Sequence, residues 1–292
     1  MTVRIGINPL TWSNDDIPTL GGEIPLETCL REAAQAGYEG IELGNKFPRK
    51  AEVLTPILER HGLRLVSGWY SAELLRRTAR EELKAVEVHL SLLSALGCEV
   101  MVFAETSGKD FTGPLSGRPR LEEADWHPFC ERLTEVAEAL RARGVRMAYH
   151  HHMGTVIQTE EEVDRLMEST GEAVGLLLDT GHLAFAGGDT LATARRHAGR
   201  IVHVHCKDIR RDVLKAMLAR DASFLATVPE GVFTVPGDGC IDYESLCAVL
   251  KAARYTGWLV VEAEQDPAKA HPLTYARMGH EHLTRVMAAS GL

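Results

Sequence analysis

The chain has 292 residues, of which 45% are hydrophobic and 25% are charged, and these proportions are ordinary for a globular protein. Its 32 basic side chains stand against 41 acidic ones, which gives a formal net charge of −9. That balance argues against binding to a nucleic-acid backbone, and no apolar run approaches the roughly 20 residues that a membrane-spanning helix needs.

Short apolar runs alternate with longer amphipathic stretches along the whole chain. The apolar runs predict eight strands, at residues 3–7, 40–43, 63–67, 100–103, 145–149, 174–178, 201–205 and 258–262. The amphipathic stretches predict helices over residues 24–36, 52–60, 79–96, 126–143, 159–167, 189–197, 242–255 and 271–288. The helix at 159 begins with Thr-Glu-Glu-Glu, which is typical of a capping box.

Five of the predicted helices end at a glycine that is followed by an apolar strand, a pattern typical of alternating strands and helices. Eight nearly continuous apolar strands, each followed by a helix, indicate an α/β fold of the (β/α)8 TIM-barrel type. A doubly wound open sheet is the alternative, but no Gly-x-Gly-x-x-Gly follows the first strand and there is no phosphate-loop lysine. We expect a single domain over residues 1–292.

Two stretches, at about 105–123 and 209–239, do not follow the alternation of apolar runs and amphipathic stretches. Each follows an apolar strand, so both are predicted to be long loops on the face of the barrel where the carboxyl ends of the strands meet. The second stretch contains a predicted short helix at 213–220, and we expect it to act as a lid.

The chain contains six cysteines, and none of them forms a Cys-x-x-Cys pair. Scattered cysteines of this kind are typical of reduced thiols, so we expect a cytoplasmic protein. Residues 1–12 carry no charged region followed by an apolar stretch and a cleavage site, so we expect no secretory signal. The 13 histidines are the unusual feature of the composition, because several of them are clustered.

The polar residues that follow the last four predicted strands are the main indication of what chemistry the protein performs. They are His150 and His152 after the fifth strand, Asp179 and His182 after the sixth, His205 and Lys207 after the seventh, and Glu262 and Glu264 after the eighth. Because parallel strands end at one edge of the barrel, these groups are expected to lie close together. Imidazole and carboxylate ligands together suit Zn, Mn, Co or Fe(II), so this end of the barrel is predicted to be a metal site.

Structural roles are the alternative for each of these groups. The three consecutive histidines at 150–152 could form an exposed polar loop, and Asp179 could cap a turn. His203 lies deeper in its strand and is predicted to pack in the middle layer of the barrel. Glu262 could pair with Lys207, since buried carboxylates need a metal, a partner or a proton.

Further residues near strand ends are predicted to bind a substrate that is rich in hydroxyl groups. A polyol needs many hydrogen-bonding side chains and an aromatic surface against which its ring can lie. The predicted substrate-binding residues are Asn8, Glu42, Lys46, Trp69, Lys207 and Asp238.

Six segments together resemble the xylose-isomerase-like TIM-barrel superfamily and, within it, the inosose dehydratase family of inositol catabolism. They are INPLTWSNDD at 7–16, YHHHMGT at 149–155, LDTGH at 178–182, HVHCKD at 203–208, FTVPGDG at 233–239 and VEAEQDP at 261–267. The narrower resemblance rests mainly on the first, second and last of these segments. The resemblance spans essentially the whole chain and implies a metal-dependent enzyme on a TIM barrel.

The superfamily's usual metal ligands are Glu, Asp, His and Glu, one from each of strands five to eight. By this resemblance Asp179, His205 and Glu262 occupy three of those positions, and His150 stands where epimerases and isomerases carry glutamate. Ketose 3-epimerases use two metal-bound glutamates, one on each face of the reacting carbon. The loss of one of them favours elimination over epimerisation. The expected metal ligands are therefore His150, Asp179, His205 and Glu262.

The resemblance implies dehydration of 2-keto-myo-inositol (scyllo-inosose) to a trihydroxycyclohexane-1,2-dione. In that reaction Glu262, or Glu264 in its place, would remove the proton next to the ketone. A protonated imidazole of His150, His152 or His182 would then assist the loss of the hydroxyl group as water. The catalytic residues are predicted to be Glu262, His152 and His182.

The family is described with manganese or cobalt, the ligand chemistry also allows zinc, and some members use glutathione, for which the sequence shows no site. We expect a small polyol or cyclitol as substrate, a homo-oligomer, and no nucleic-acid or membrane partner. One alternative is a ketose isomerase or epimerase on the same barrel. Others are a DNA-repair nuclease similar to endonuclease IV, which the acidic charge argues against, and a metal-free sugar-binding barrel.

Overall fold

The computed structural model of the protein describes residues 3–292, so Met1 and Thr2, which begin the segment considered for a secretory signal, lie outside the described residues. The barrel strands are β1 (Val3–Ile7), β2 (Gly40–Leu43), β3 (Arg64–Ala72), β4 (Val100–Glu105), β5 (Arg146–His150), β6 (Val174–Asp179), β7 (Ile201–Cys206) and β10 (Gly257–Val261). Two short strands, β8 (Asp208–Ile209) and β9 (Phe233–Thr234), pair antiparallel outside the barrel.

The eight barrel strands run parallel and close on themselves in the order β1-β10-β7-β6-β5-β4-β3-β2. The predicted eight-stranded TIM barrel is confirmed, and the open-sheet alternative is wrong. Closure follows from the sequence pattern, because strands that are apolar on both faces need helices outside and a packed interior.

Most of the helices form the outer layer. Within residues 3–292 the α-helices are α1 (Leu26–Gln35), α2 (Ala51–Arg60), α3 (Ala79–Ala95), α4 (Glu123–Ala142), α5 (Glu160–Ser169), α6 (Thr180–Phe185), α7 (Thr190–Arg196), α8 (Arg211–Ala219), α9 (Phe224–Thr227), α10 (Tyr243–Ala252) and α11 (Pro272–Ser290). The predicted helices are present with ends within three residues of those expected. The short α6 and α9 were not predicted, because six or four residues are too few to show a helical period. No helix among the described residues is long and apolar enough to cross a membrane.

The carboxyl ends of the strands hold the residues that carry the chemistry. His150 and Asp179 are the last residues of β5 and β6. Asp179 pairs in register with His205 of β7, which places these two side chains next to each other. Since alternate residues share a face, Ala148 and Leu177 lie beneath His150 and Asp179, where they belong to a small apolar cluster in the barrel interior.

Two segments fold together over this end of the barrel, and we call them the cover: residues 106–122, between β4 and α4, and residues 207–242, between β7 and α10. The backbone N–H of Leu225 donates to the carbonyl of Phe111 at 3.0 Å, which joins one segment to the other. A separate apolar cluster fills the space beneath them and includes Phe111, Met153, Phe185, Ile209, Phe224 and Phe233. The assignment of residues 1–292 to one domain stays a prediction.

The predicted capping box at the start of α5 is confirmed. The hydroxyl of Thr159 accepts a hydrogen bond from the backbone N–H of Glu162 at 3.4 Å, and the Glu162 carboxylate accepts one from the backbone N–H of Thr159 at 3.0 Å. The same carboxylate accepts a hydrogen bond from Arg118 of the cover at 2.7 Å. The start of α5 therefore anchors the cover to the outer layer.

We expect Thr159→Ala to lower the free energy of unfolding by about 1 kcal/mol, because the first turn of α5 loses its side-chain cap. Urea unfolding followed by circular dichroism measures this change. Thr19→Ala is the matched control, since Thr19 is exposed and lies in a turn. An unfolding midpoint of Thr159→Ala equal to that of the control would contradict the capping role.

Candidate metal centre and active site

Four side chains from four neighbouring strands converge at the open end of the barrel. Nε2 of His150 lies 3.6 Å from Oδ2 of Asp179, and Nδ1 of His205 lies 3.5 Å from the same oxygen. Nδ1 of His205 also lies 3.0 Å from Oε2 of Glu262. One potential ligand atom from each of the four residues falls within 4.8 Å of the others. These are the four residues that the sequence predicted as metal ligands.

Each imidazole is oriented by a hydrogen bond on the side away from the cluster. Nδ1–H of His150 donates to the carbonyl of His151 at 2.6 Å, which leaves Nε2 free to face Asp179. Nε2–H of His205 donates to Glu42 at 3.2 Å, and its Nδ1 faces Asp179 and Glu262. Second hydrogen bonds of this kind set the tautomer and ring orientation of histidines that bind metals.

The chemistry of this cluster fits a divalent metal ion. Within residues 3–292, Oδ2 of Asp179 and Nδ1 of His205 are buried atoms without a hydrogen-bond partner. Buried polar atoms are normally satisfied, so two such atoms on neighbouring strand ends indicate that a ligand belongs between them. Two imidazoles and two carboxylates suit zinc, manganese, cobalt or iron(II).

Glu42 adjoins the cluster through His205 and holds a dense hydrogen-bond network. Its carboxylate accepts hydrogen bonds from Asn8 at 2.7 Å, Ser67 at 2.6 Å and His203 at 2.9 Å, in addition to His205. Burial would raise the pKa of Glu42, but the charge of His205 and the hydrogen bonds from both histidines hold it below its usual range. His203 is fully buried, so its side chain packs inside the barrel, as the sequence indicated.

Lys207 forms the other buried contact of the cluster. Its ammonium lies 2.8 Å from Oε2 of Glu262, 2.5 Å from Oε1 of Glu264, 2.9 Å from Nε2 of His182 and 3.7 Å from Oδ2 of Asp179. Only 1% of the residue is exposed. The pairing of Glu262 with Lys207, which was an alternative from the sequence, is therefore present alongside the proposed metal ligands.

A cavity of about 240 Å³ opens directly above the cluster. The residues selected from the sequence that line it are Asn8, Glu42, Trp69, His150, His152, His205, Glu262 and Glu264. Trp69 lies within the last part of β3, which extends five residues beyond its predicted end, and its ring stands edge-on to the rings of His150 and His152. The cavity therefore offers one aromatic surface and many polar groups.

Three residues that the sequence predicted as substrate contacts lie away from the cavity wall. The ammonium of Lys46 donates to the backbone carbonyls of Gly21 and Ile24. Asp238 accepts a hydrogen bond from Arg210 at 2.6 Å within the cover, and Lys207 lies behind the wall. In each case the charged group is paired with a partner of opposite polarity, and for Lys207 that partner is the pair of cavity-lining carboxyl groups of Glu262 and Glu264.

The rim of the cavity is built by loop residues that sequence reasoning did not select. They are Asp15, Asp16, Asn45, Arg49, Lys109 and Phe111. Lys109 of the cover lies 3.8 Å from Asp16 of the loop after β1, so the two loops approach each other across the opening. The segment at 7–16 and the long loop after the fourth strand pointed to this region, but loops carry no periodic signal that selects single residues.

The imidazoles predicted as proton donors lie in an environment that lowers their pKa. Burial lowers the pKa of His152 to about 3, and it lowers the pKa of His150 and His182 well below the usual range. His182 also does not line the cavity. Burial raises the pKa of Glu264 to about 7, against the opposing charge of Lys207. A protonated imidazole stays a prediction, and Glu264 is a cavity-wall carboxyl group whose pKa lies near neutral pH.

The environment of Glu262 shifts its pKa in the direction opposite to that of Glu264. Burial would raise its pKa, but the charges of His205 and Lys207 hold the pKa well below the usual range. Glu262 and Glu264 therefore line one cavity with pKa values shifted in opposite directions. Opposite shifts of two neighbouring carboxyl groups are a pattern found where one acts as a base and the other as an acid.

Comparison with known proteins agrees with this architecture. The family model described as "Xylose isomerase-like TIM barrel" matches residues 30–286. The rhizopine catabolism protein MocC of Rhizobium meliloti is 54% identical over all of this chain and 90% of its own length. The inosose dehydratase of Geobacillus thermodenitrificans is 44% identical, and that of Clostridium perfringens is 43% identical, each over 96% of both chains.

Solved structures share the fold at low sequence identity. An IolI protein with a binding zinc atom has a TM-score of 0.68 at 16% identity, covering 98% of this chain and 97% of its own. The probable 3-DHS dehydratase AsbF of Bacillus anthracis has a TM-score of 0.69 at 14% identity, covering 96% of this chain and 98% of its own. The chain therefore belongs to the xylose isomerase-like TIM barrel family and, within it, to the inosose dehydratase family.

Proposed function

We propose that the protein is a hydro-lyase that removes water from 2-keto-myo-inositol (scyllo-inosose), giving a trihydroxycyclohexane-1,2-dione in inositol catabolism. Relatives named inosose dehydratase, 40–44% identical over nearly the whole chain, support the reaction class. The observation that carries the proposal is the convergence of His150, Asp179, His205 and Glu262 beneath a small polar cavity.

The same four side chains would hold a divalent metal. We propose manganese or cobalt, with zinc, the ion bound by the IolI protein, as the alternative. When bound, the ion supplies a Lewis acid that stabilises negative charge on the oxygen atoms of the substrate. Use of glutathione stays an expectation from the family resemblance.

Glu262 is the proposed base. Its carboxylate lines the cavity, and its Oε1 accepts a hydrogen bond from Asn8 at 2.9 Å, which fixes its orientation. The ring ketone acidifies the neighbouring C–H bond, so an ionised carboxylate in contact with that hydrogen can remove it. The electron pair of the broken C–H bond passes into the enolate of the ketone.

Glu264 and His152 are proposed to act on the departing hydroxyl group. Potential ligand atoms of these two residues lie within 4.8 Å of each other, and both residues line the cavity. Nδ1–H of His152 donates to the carbonyl of Met153 at 2.7 Å, so its free Nε2 can accept a hydrogen bond from the hydroxyl. Glu264 gives its proton to the oxygen as the C–O bond breaks, water leaves, and the resulting enol becomes the dione.

These proposed roles favour elimination over epimerisation. Epimerisation removes a proton from one face of a carbon and adds a proton to the other face, so it needs a base on each face. His150 stands where the epimerases of the superfamily carry the second glutamate. The edge of Trp69 and the polar rim at Asp15 and Lys109 are proposed to contact the ring and its hydroxyl groups.

We also propose a cytoplasmic location, which the six free cysteines support, five of them buried. The net charge of −9 supports a small polar substrate and not a nucleic acid. A homo-oligomer is proposed from the family resemblance alone.

Glu262→Gln and Glu264→Gln separate the two proposed steps. In deuterated water with manganese-loaded protein and scyllo-inosose, NMR measures exchange of the proton next to the ketone, and ultraviolet absorbance measures the dione. We expect Glu262→Gln to lose both signals, by about 10²- to 10⁴-fold, because no base remains. Glu264→Gln should keep the exchange and lose dehydration by a similar factor.

Glu281→Gln is the matched control, since Glu281 is exposed on α11 far from the cluster in sequence. Exchange that persists in Glu262→Gln would assign the base to another residue. Loss of exchange in Glu264→Gln would contradict a separate proton donor. If the unmodified protein interconverts ketoses and forms no dione, the isomerase or epimerase alternative replaces the dehydratase.

Metal binding should stabilise the folded protein. At 100 times the dissociation constant, manganese is expected to add about 2.7 kcal/mol to the free energy of unfolding, since a preformed site binds only the folded chain. Asp179→Asn should abolish this gain, whereas Asp212→Asn, an exposed change on α8, should keep it. Thermal unfolding with and without manganese measures both. A full manganese shift in Asp179→Asn would rule out the proposed centre.

A further inference from the structure

A second group of potential ligands adjoins the proposed metal centre. His152, His182 and Glu264 each offer a ligand atom, and these atoms lie within 4.8 Å of one another. The rings of His152 and His182 have centroids 3.9 Å apart, and Nε2 of His182 lies 3.5 Å from Oε1 of Glu264. Two imidazoles and a carboxylate form a ligand set that binds zinc in other proteins.

The ammonium of Lys207 lies between this group and the first one. It contacts Glu264 at 2.5 Å and His182 at 2.9 Å on one side, and Glu262 at 2.8 Å and Asp179 at 3.7 Å on the other. Its contacts are therefore those expected of a cation held between two ligand groups.

We propose that the ammonium of Lys207 takes the place of a second metal ion, so that the centre binds one divalent ion where His152, His182 and Glu264 would otherwise bind another. This inference rests on the proposed function only in taking the first metal centre as given. It assigns Lys207 a positioning role, because the residue touches the carboxylates of the site and does not line the cavity.

The carboxyl groups of both ligand groups surround one cation. Asp179, Glu262 and Glu264 each have an oxygen within 3.7 Å of the ammonium of Lys207. Removing Lys207 would leave an excess negative charge inside the protein, where an uncompensated charge is costly. A second cation would then be attracted to the vacated position.

The surrounding structure is shaped to hold the lysine. A Cβ atom on Gly181 would lie 2.5 Å from Cγ and 2.8 Å from Cβ of Lys207, so the absence of a side chain at Gly181 makes room for the lysine's methylene groups. The ammonium also lies 4.9 Å from the centre of the ring of Phe233, within range of a cation–π interaction. The position of Lys207 is therefore set by both of its neighbours.

An ammonium in place of a metal has a chemical consequence. Centres with two metal ions about 3.5–4 Å apart are suited to hydrolytic displacement, because both ions clamp the attacking and leaving oxygens. A lysine cannot bind substrate oxygens behind the cavity wall, and it leaves His152 and Glu264 free to face the cavity. The centre is thereby restricted to chemistry with one metal ion and with a carboxyl group, that of Glu264, that binds no metal.

Lys207→Ala tests this inference through metal stoichiometry. Apo protein is titrated with zinc by isothermal calorimetry, and bound zinc is counted by elemental analysis after desalting. We expect one ion per chain in the unmodified protein and in Lys215→Ala, a control that removes an exposed lysine of α8. Lys207→Ala should bind two ions, and Lys207→Ala with Glu264→Gln should return to one.

One ion in Lys207→Ala, two ions in the unmodified protein, or a second ion that persists in the double variant would each overturn the inference. No bound zinc in the unmodified protein would instead remove the proposed metal centre, and the inference with it. If apo Lys207→Ala does not fold, two equivalents of zinc should restore the wild-type circular dichroism spectrum. Recovery that is complete at one equivalent would also overturn the inference.

Discussion

Four carboxylates buried around the proposed metal centre are the constraint on which the rest of the structure depends. Glu42, Asp179, Glu262 and Glu264 are each no more than 5% exposed. The effective penalty for burying an ionised carboxylate is several kcal/mol unless partners compensate it. The strand ends supply those partners as imidazoles and as one ammonium, that of Lys207, and the chemistry of the site follows from which partner each carboxylate receives.

The partners divide the carboxylates into different roles. Glu42 is surrounded by donors and remains a fixed acceptor that orients His205. Glu262 lies against two cations, His205 and Lys207, which hold its pKa below the usual range. Glu264 lies against one cation, Lys207, and its pKa is about 7. In the proposed reaction one type of side chain would serve as an anchor, a base and an acid, and the differences in pKa arise from neighbours a few ångströms away.

Much of the fold is visible in the sequence because periodicity is local. An apolar run followed by a polar residue marks both a strand and the end at which chemistry takes place, which is why His150, Asp179 and His205 could be selected together. The sequence pattern does not show which partner a long side chain contacts. Lys46 turns to backbone carbonyls of a neighbouring loop, and Lys207 turns into the barrel because Gly181 leaves space for it. The rim residues lie on loops, whose contacts depend on the assembled barrel.

The two segments of the cover have a consequence for how proteins of this kind can vary. Their backbones are hydrogen-bonded to each other at Leu225 and Phe111, and the apolar cluster between them reaches His152 through the rings of Phe111 and Phe224. An insertion or deletion in one segment alone would misalign both the other segment and an imidazole on the cavity wall. The two segments should therefore change in concert during divergence, and transplanting substrate preference between related barrels would require moving them as a pair.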